Sequence, residues 1–159
     1  MSEGEVSGGV LARIRASVPD RVLNRVIAIT LTLGTGAILG TALWLEASPN
    51  GHGTHLQLGL NQCSFLMATG WPCPMCGATT TFTLWAHLHP LQGIVNQPFA
   101  SLLFLMTVVT FAVSLVESVD PRGRWNRIIA RLEPFELPLA LGFLALMGIS
   151  WIYKIWLMG

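Results

Sequence analysis

Three strongly apolar runs separate the polar segments of this chain and predict its framework. They cover residues 26–45, 98–117 and 137–156, and each contains 20 residues. That is the length an α-helix needs to cross a hydrocarbon core about 30 Å thick. We therefore predict an all-α membrane protein with three transmembrane helices. Lys154, near the end of the third run, is expected to extend its ammonium to the membrane surface.

The segment between the first two runs, residues 47–97, predicts an irregular loop followed by one short helix. Its Gly and Pro residues are typical of turns rather than of a spanning helix. Residues 77–89 are too few and too polar to cross a membrane, and Pro90 is expected to end the helix there. We predict that this helix lies in the interface or re-enters the membrane, and that residues 26–156 form one membrane domain.

The arginines predict how the chain is oriented in the membrane. Four of them precede the first run (Arg13, Arg15, Arg21, Arg25), and four lie between the second and third runs (Arg122, Arg124, Arg127, Arg131). Cytoplasmic loops are enriched in Lys and Arg. We therefore expect a cytosolic N-terminal tail (1–25), a cysteine-containing loop on the outer face and an outer C-terminus. In a bacterium this describes a multi-pass inner-membrane protein with a periplasmic C-terminus.

Composition supports a membrane environment and excludes several functional classes. Hydrophobic residues make up 52% of the chain and charged residues 11%, whereas an ordinary soluble domain has roughly 25% charged residues. A net charge of +1 gives no basis for nucleic-acid binding. Because the centres of the apolar runs lack ionisable residues, an ion or proton pathway is not favoured. The expected surroundings are the lipid bilayer and other membrane protein subunits.

All three cysteines lie in one short stretch and give it its candidate chemistry. Cys63 is followed by the Cys-x-x-Cys pair Cys73 and Cys76 at the predicted entry to the short helix. Three thiols can supply three ligands of a tetrahedral zinc site. Alternatively, a helix N-terminus can lower the pKa of one thiol of the pair and so activate it for redox exchange. An odd number of cysteines excludes complete pairing within one chain.

A histidine could complete such a zinc site. His87 lies 11 residues after Cys76, about 16 Å further along a straight helix, and is therefore too distant to share one ion with that thiol. His52 and His55 lie in the loop, where no such spacing argument applies. The candidate metal ligands are therefore Cys63, Cys73 and Cys76 with His52 or His55.

The cysteine stretch resembles a family of small bacterial inner-membrane proteins that is defined as a domain of unknown function. The matching features are a leading Cys, then Thr-Gly, Cys-Pro-x-Cys-Gly-x-Thr and, more loosely, an Asn and a Pro. Here these residues are Cys63, Thr69-Gly70, Cys73-Pro74-Met75-Cys76-Gly77, Thr79, Asn96 and Pro98. Thr80 replaces an Arg that is frequent in the family, and Gln97 interrupts the Asn-Pro pair. The resemblance implies a polytopic membrane protein with a shared three-cysteine site, and it implies no activity.

Two functional hypotheses follow from these features. The first, which we favour from sequence, is a structural or accessory subunit or assembly factor of a membrane complex, with its cysteines binding metal or forming a disulfide. The alternative is a membrane thiol–disulfide oxidoreductase in which Cys73 and Cys76 cycle and Cys63 traps a partner. Relay enzymes of that kind generally use a second cysteine pair, and only Cys63 remains here, so the sequence favours a non-enzymatic site.

Overall fold

The computed structural model describes residues 20–158, and within these residues it contains helices and no β-strand. The long helices are α1 (Asp20–Trp44), α5 (Pro98–Val119) and α7 (Glu136–Met158). The shorter ones are α2 (Ser64–Thr69), α3 (Ala78–Ala86), α4 (Pro90–Asn96) and α6 (Arg124–Leu132), with 3-10 turns at Thr54–Leu58 and Glu133–Phe135. The predicted tail, residues 1–25, lies mostly outside the described part of the chain.

Three helical stretches in the described residues are long and apolar enough to cross a membrane, as predicted. They are α1, α5 and the stretch Arg124–Met158, whose apolar part is α7. Each predicted span lies almost entirely within its observed helix, and α1 begins six residues earlier than predicted. Residues 45–97 join α1 to α5 at one end of the helices, which we call the loop side. Residues 120–135 join α5 to α7 at the other end, which we call the arginine side.

The first two spanning helices pack along each other and form the centre of the fold. Gly36 of α1 permits this approach, because a Cβ placed there would come within 3.2 Å of the Phe111 ring on α5. Ala28 and Ala42 of α1 are also buried. Small residues allow membrane helices to approach closely and gain dispersion contacts. The α1–α5 pair therefore forms a support on which the loop-side elements are placed.

Helix α7 joins the rest of the structure mainly near the loop side. The rings of Phe99 and Phe143 pack edge to face with centroids 4.8 Å apart, and the Phe99 N–H donates to Ser150 Oγ at 3.2 Å. Only 6% of the most apolar window of the third stretch is buried within the chain. Helix α7 therefore leaves most of its apolar surface for lipid or for other proteins.

The loop side contains more helices than the sequence pattern predicted. The single helix expected over residues 77–89 is observed as α3, and it ends at Ala86. A tight turn containing Leu88, with φ of 62°, then leads into α4, which begins at Pro90. Short helix α2 was also not predicted. These three helices and the 3-10 turn at Thr54–Leu58 position the cysteines.

On the arginine side, one buried carboxylate organises the connection between α5 and α6. Glu117 is 1% exposed and accepts hydrogen bonds from the backbone N–H of Gly123 and from both the backbone and the guanidinium of Arg124. An acidic group at a helix N-terminus satisfies free N–H groups and interacts favourably with the helix dipole. Glu117 thereby fixes the start of α6.

Candidate functional site

The Cys-x-x-Cys pair lies in a tight turn that leads into α3. The Cys76 N–H donates to the Cys73 carbonyl at 2.9 Å, which closes the turn. Gly77 then caps the helix with φ of 88°, a conformation that residues with a Cβ rarely adopt. Cys73 is half-buried and Cys76 is buried. Cys63 comes from the other end of the loop, immediately before α2.

One cavity of about 250 Å³ brings the three cysteines together with a histidine. Its lining includes Cys63, Cys73 and Cys76 and also His55, whose Nε2 lies 3.2 Å from the Asn61 carbonyl. Its remaining lining is Gly53, Met75, Gly77, Thr79 and Thr80. Of the two loop histidines named from sequence, therefore, His55 borders the thiol cavity and His52 does not.

The side chains of residues 20–158 contain no group of three or more His, Cys, Asp or Glu residues arranged to hold a metal ion. All three cysteines are free thiols. Thiolate and imidazole are suitable zinc donors by their chemistry. Holding an ion would therefore require these side chains to turn toward a common point inside the cavity.

Cys63 has the most acidic thiol of the three. The Leu66 backbone N–H, in the first turn of α2, interacts with the sulfur and lowers the pKa of Cys63 below its ordinary value. A smaller lowering of this pKa comes from the Cys73 side chain, which borders the same cavity. A half-exposed thiol with a lowered pKa is the usual environment of a reactive cysteine.

The two cysteines of the Cys-x-x-Cys pair have the opposite property. Burial raises the pKa of Cys73 and of Cys76, because a low-dielectric environment disfavours the thiolate. The expectation that the entry to α3 would lower the pKa of a thiol of this pair is therefore wrong. Both thiols precede the Gly77 cap, so burial dominates over the effect of the helix end. For Cys76, the positive charge of Lys154 partly opposes the rise in pKa.

Side chains from the α4–α5 junction and from α7 hold the cysteine loop by its backbone carbonyls. Gln97 Nε2 donates to the Pro74 carbonyl at 2.6 Å, and Trp151 Nε1 donates to the Pro72 carbonyl at 2.7 Å. Asn96 Nδ2 donates to the Gly77 carbonyl at 3.2 Å. Pro72 directly precedes the Cys-x-x-Cys pair, Pro74 lies within it and Gly77 directly follows it. The donors come from the α4–α5 junction and from α7, so segments on both sides of α5 in sequence fix the position of the pair.

Lys154 is directed into the protein and not toward the membrane surface, which corrects the sequence-based expectation. Its side chain is 1% exposed. The ammonium donates to Asn96 Oδ1 at 2.8 Å, to the Asn96 carbonyl at 3.3 Å and to the Gly51 carbonyl at 3.1 Å. A lysine ammonium has three donors, and each has an acceptor here. None of these three acceptors carries a negative charge.

Two glycines allow the loop to pack against this ammonium. A Cβ at Gly77 would lie 2.5 Å from the Gly51 carbonyl oxygen and 3.1 Å from Lys154 Nζ. A Cβ at Gly51 would lie 2.5 Å from Asn96 Oδ1. Gly77 therefore serves both as the α3 cap and as the contact point between the cysteine loop and the Lys154–Asn96 pair. The sequence predicted turns at these glycines, but it did not predict their contact with the Lys154–Asn96 pair.

The threonines of α3 also connect parts of the site. Thr80 Oγ1 lies 2.8 Å from Thr54 Oγ1 in the 3-10 turn, and Thr81 Oγ1 accepts from Asn96 Nδ2 at 2.9 Å. Both threonines are buried. Their role is to join the loop and α4 to the helix that follows the Cys-x-x-Cys pair.

The family comparison finds a match in the same region. The family model described as "Protein of unknown function (DUF2752)" matches residues 63–111. The matched segment begins at Cys63 and runs through α2, α3 and α4 into α5, so it contains the three thiols and the residues of α4 and α5 that hold them. No curated protein and no solved structure matches the chain. The comparison supports a domain of unknown function and assigns no activity.

Proposed function

We propose that this multi-pass membrane protein carries out thiol–disulfide exchange on its loop side, with Cys63 as the attacking thiol and Cys73 as its resolving partner. The observation that carries the proposal is that these two thiols border one cavity although ten residues separate them. The half-exposed position of Cys63 gives a partner access to its sulfur. The pair differs from the Cys73–Cys76 pair that the spacing alone suggested.

The proposed exchange has two balanced steps. First, the Cys63 thiolate attacks a disulfide of a partner protein, so a mixed disulfide forms while the partner's own S–S bond breaks and releases one thiolate, which takes up a proton. Second, Cys73, after losing its proton, attacks the Cys63 sulfur. A Cys63–Cys73 disulfide forms and the partner's second sulfur leaves as a thiolate. The partner is reduced and this chain is oxidised; the same steps in reverse oxidise a partner dithiol.

Cys76 supplies a third thiol next to the pair. As a thiolate it can attack the Cys73 sulfur, forming a Cys73–Cys76 disulfide and releasing the Cys63 thiolate for another encounter. Burial raises the pKa of Cys76 and so disfavours its thiolate, and the positive charge of Lys154 opposes this rise only in part. A dithiol of another partner protein then reduces the Cys73–Cys76 disulfide and is itself oxidised to a disulfide, which completes the cycle without a second cysteine pair in this chain.

The arginine distribution supports an orientation for this activity. Arg122, Arg124, Arg127 and Arg131 lie at one end of the spanning helices, and the thiols lie at the other. By the positive-inside rule, the arginine side is cytoplasmic and the loop side is periplasmic, in a bacterial inner membrane. An oxidising periplasm maintains disulfides in partner proteins. The exposed face of α7 would carry the contacts of an accessory or assembly factor with other membrane subunits.

A second candidate function is metal binding, and the cavity composition favours it. Three thiols and the His55 imidazole border one space, and this donor set suits zinc. In that case the protein is a non-enzymatic accessory subunit whose ion stabilises the loop. Cys63, Cys73, Cys76 and His55 would hold the ion, each after a change of rotamer.

Trapping a mixed disulfide tests the proposed function. Purified, reduced Cys73→Ser protein in detergent is treated with oxidised glutathione and analysed by peptide mass spectrometry. Cys63 should retain glutathione, whereas the wild-type protein should release it as the Cys63–Cys73 disulfide forms. Cys63→Ser is the matched control and should show little glutathione at Cys73. Equal labelling of Cys63 and Cys76 in Cys73→Ser would contradict the proposed order of attack.

A further inference from the structure

We propose a second site, on the arginine side, that binds the headgroup of an anionic phospholipid. A cavity of about 1130 Å³ lies there between the first turns of α1 and the connection from α5 to α6. It is separated from the thiol site by the length of the spanning helices, and the proposal does not depend on the thiol chemistry.

The charged lining of this cavity contains one more arginine than aspartate and is therefore net positive. Three arginines border it, Arg21, Arg25 and Arg122, together with Asp20 and Asp120. The Asp120 carboxylate is already paired, at 2.5 Å with Arg122 and at 3.4 Å with Arg124. Guanidinium groups bind phosphate oxygens with strong, charge-assisted hydrogen bonds.

Hydrogen bonds place one of these arginines at the junction of the two helices. Arg25 Nη2 donates to the carbonyl of Val119, the last residue of α5, at 3.3 Å. This bond uses one donor of a guanidinium that has five. Arg25 is therefore held in position while it keeps donors for a phosphate.

Two amide side chains add neutral donors at the same place. A Cβ built at Gly123 would have Asn24 Nδ2 at 3.5 Å and Asn126 Nδ2 at 3.7 Å as its nearest neighbours. Asn24 comes from α1 and Asn126 from α6, so the two helices direct amide nitrogens toward the same glycine. Because Gly123 has no side chain, the space between these nitrogens stays open. Amide N–H groups satisfy phosphate or glycerol oxygens without adding charge.

The apolar part of the lining distinguishes a phospholipid from free phosphate. Val22, Val26 and Ile29 line the cavity along one face of α1 and are 50%, 55% and 43% exposed. Spacings of three and four residues place such side chains in a row on a helix. The row leads from the arginines into the apolar section of α1. A headgroup at the arginines can therefore leave its acyl chain against this row, and basic sites between membrane helices bind anionic headgroups in this way.

The test measures retained lipid by native mass spectrometry of the full chain, extracted from nanodiscs of phosphatidylcholine with phosphatidylglycerol. Wild-type protein should retain phosphatidylglycerol selectively. Arg21→Gln should weaken retention about fivefold, since an arginine near anionic lipid contributes about 1 kcal/mol. Asn24→Ala, which leaves the charge of the protein unchanged, should also reduce the retention of phosphatidylglycerol. The double variant Arg127→Gln/Arg131→Gln removes two charges from α6 residues outside the cavity lining and should retain lipid as wild type does.

Three results would overturn the proposal. One is the absence of any preference for phosphatidylglycerol over phosphatidylcholine in the wild-type protein. Another is a loss of phosphatidylglycerol retention in the Arg127→Gln/Arg131→Gln control that equals the loss in Arg21→Gln, because that would indicate diffuse attraction to the charged surface. The third is displacement of phosphatidylglycerol by glycerol 3-phosphate at similar concentration, because the site would then bind a free phosphate and not a lipid. Asn24→Ala retains Arg25 and its bond to α5, so the test does not depend on Arg25 variants folding.

Discussion

The Lys154 ammonium donates a 2.8 Å hydrogen bond to Asn96 Oδ1 and so joins the third membrane helix to the segment that holds the cysteine loop. Asn96 in turn donates to the Gly77 carbonyl and to Thr81. Through these contacts a residue near the end of the chain stabilises the turn that contains Cys76. The thiol site is therefore built by α7 as well as by the matched family segment, residues 63–111.

Lys154→Gln is expected to lower the free energy of unfolding by about 1–3 kcal/mol, because a shorter neutral side chain cannot supply all three hydrogen bonds of the ammonium. The measurement is the thermal unfolding midpoint in detergent. Arg127→Gln is the matched control, since it removes one positive charge from an exposed position on α6. Equal stability of Lys154→Gln and wild type would show that the Lys154–Asn96 contact contributes little.

Gly77→Ala is expected to destabilise the protein by more than Gly59→Ala. Both glycines have positive φ, 88° and 74°, so each substitution costs about 1 kcal/mol in backbone conformation. A Cβ at Gly77 would also lie 2.5 Å from the Gly51 carbonyl, whereas one at Gly59 has no neighbour within 4 Å. Thermal unfolding of the two variants measures the difference. Similar losses of stability in the two variants would mean that the loop around Gly51 moves away from the added methyl group at little cost.

Glu117→Gln is expected to cost about 1–3 kcal/mol of stability, because a neutral amide replaces a carboxylate that accepts hydrogen bonds from Gly123 and Arg124. Glu136→Gln, at an exposed position, is the control and should change stability little. Proteolysis of the connection between α5 and α6 should also be faster in Glu117→Gln. An unchanged cleavage rate would contradict the assigned role of Glu117.

The alkylation rate of each cysteine should depend differently on pH. Only the thiolate reacts, so a lowered pKa moves the rise in rate to lower pH and a raised pKa moves it to higher pH. In the reduced protein Cys63 should therefore reach half its maximal rate at a lower pH than Cys73 or Cys76. Peptide mass spectrometry after a pulse of iodoacetamide measures the alkylation rate of each of the three cysteines separately. In Lys154→Gln, the pH of half-maximal alkylation of Cys76 should rise further, and that of Cys63 should not change. A higher midpoint for Cys63 than for Cys73 and Cys76 in the wild-type protein would contradict the identification of Cys63 as the attacking thiol.

The spanning helices could be predicted closely from sequence because lipid leaves few alternatives. A backbone in hydrocarbon must satisfy its own hydrogen bonds, so a long apolar run becomes a helix of nearly the same length. The predicted and observed limits of α5 and α7 therefore differ by at most two residues.

The site was less predictable because its properties depend on contacts between distant residues. Hydropathy identifies Lys154 as a charge near a helix end, but only the position of Gly51 and Asn96 shows that the ammonium is directed inward. The Cys-x-x-Cys spacing likewise gives no information about burial, which raises the pKa of Cys73 and Cys76. Short helix α2, which lowers the pKa of Cys63 through the Leu66 N–H, is too short to show a periodic pattern.

The central claim is that Cys63 and Cys73 form the exchanging pair. The direct test is disulfide mapping of wild-type protein equilibrated with reduced and oxidised glutathione in detergent, with metal content measured on the same sample. We predict a reversible Cys63–Cys73 disulfide, some Cys73–Cys76 disulfide and no stoichiometric metal. Stoichiometric zinc with all three thiols protected from oxidation would contradict the exchange function and establish the metal-binding alternative.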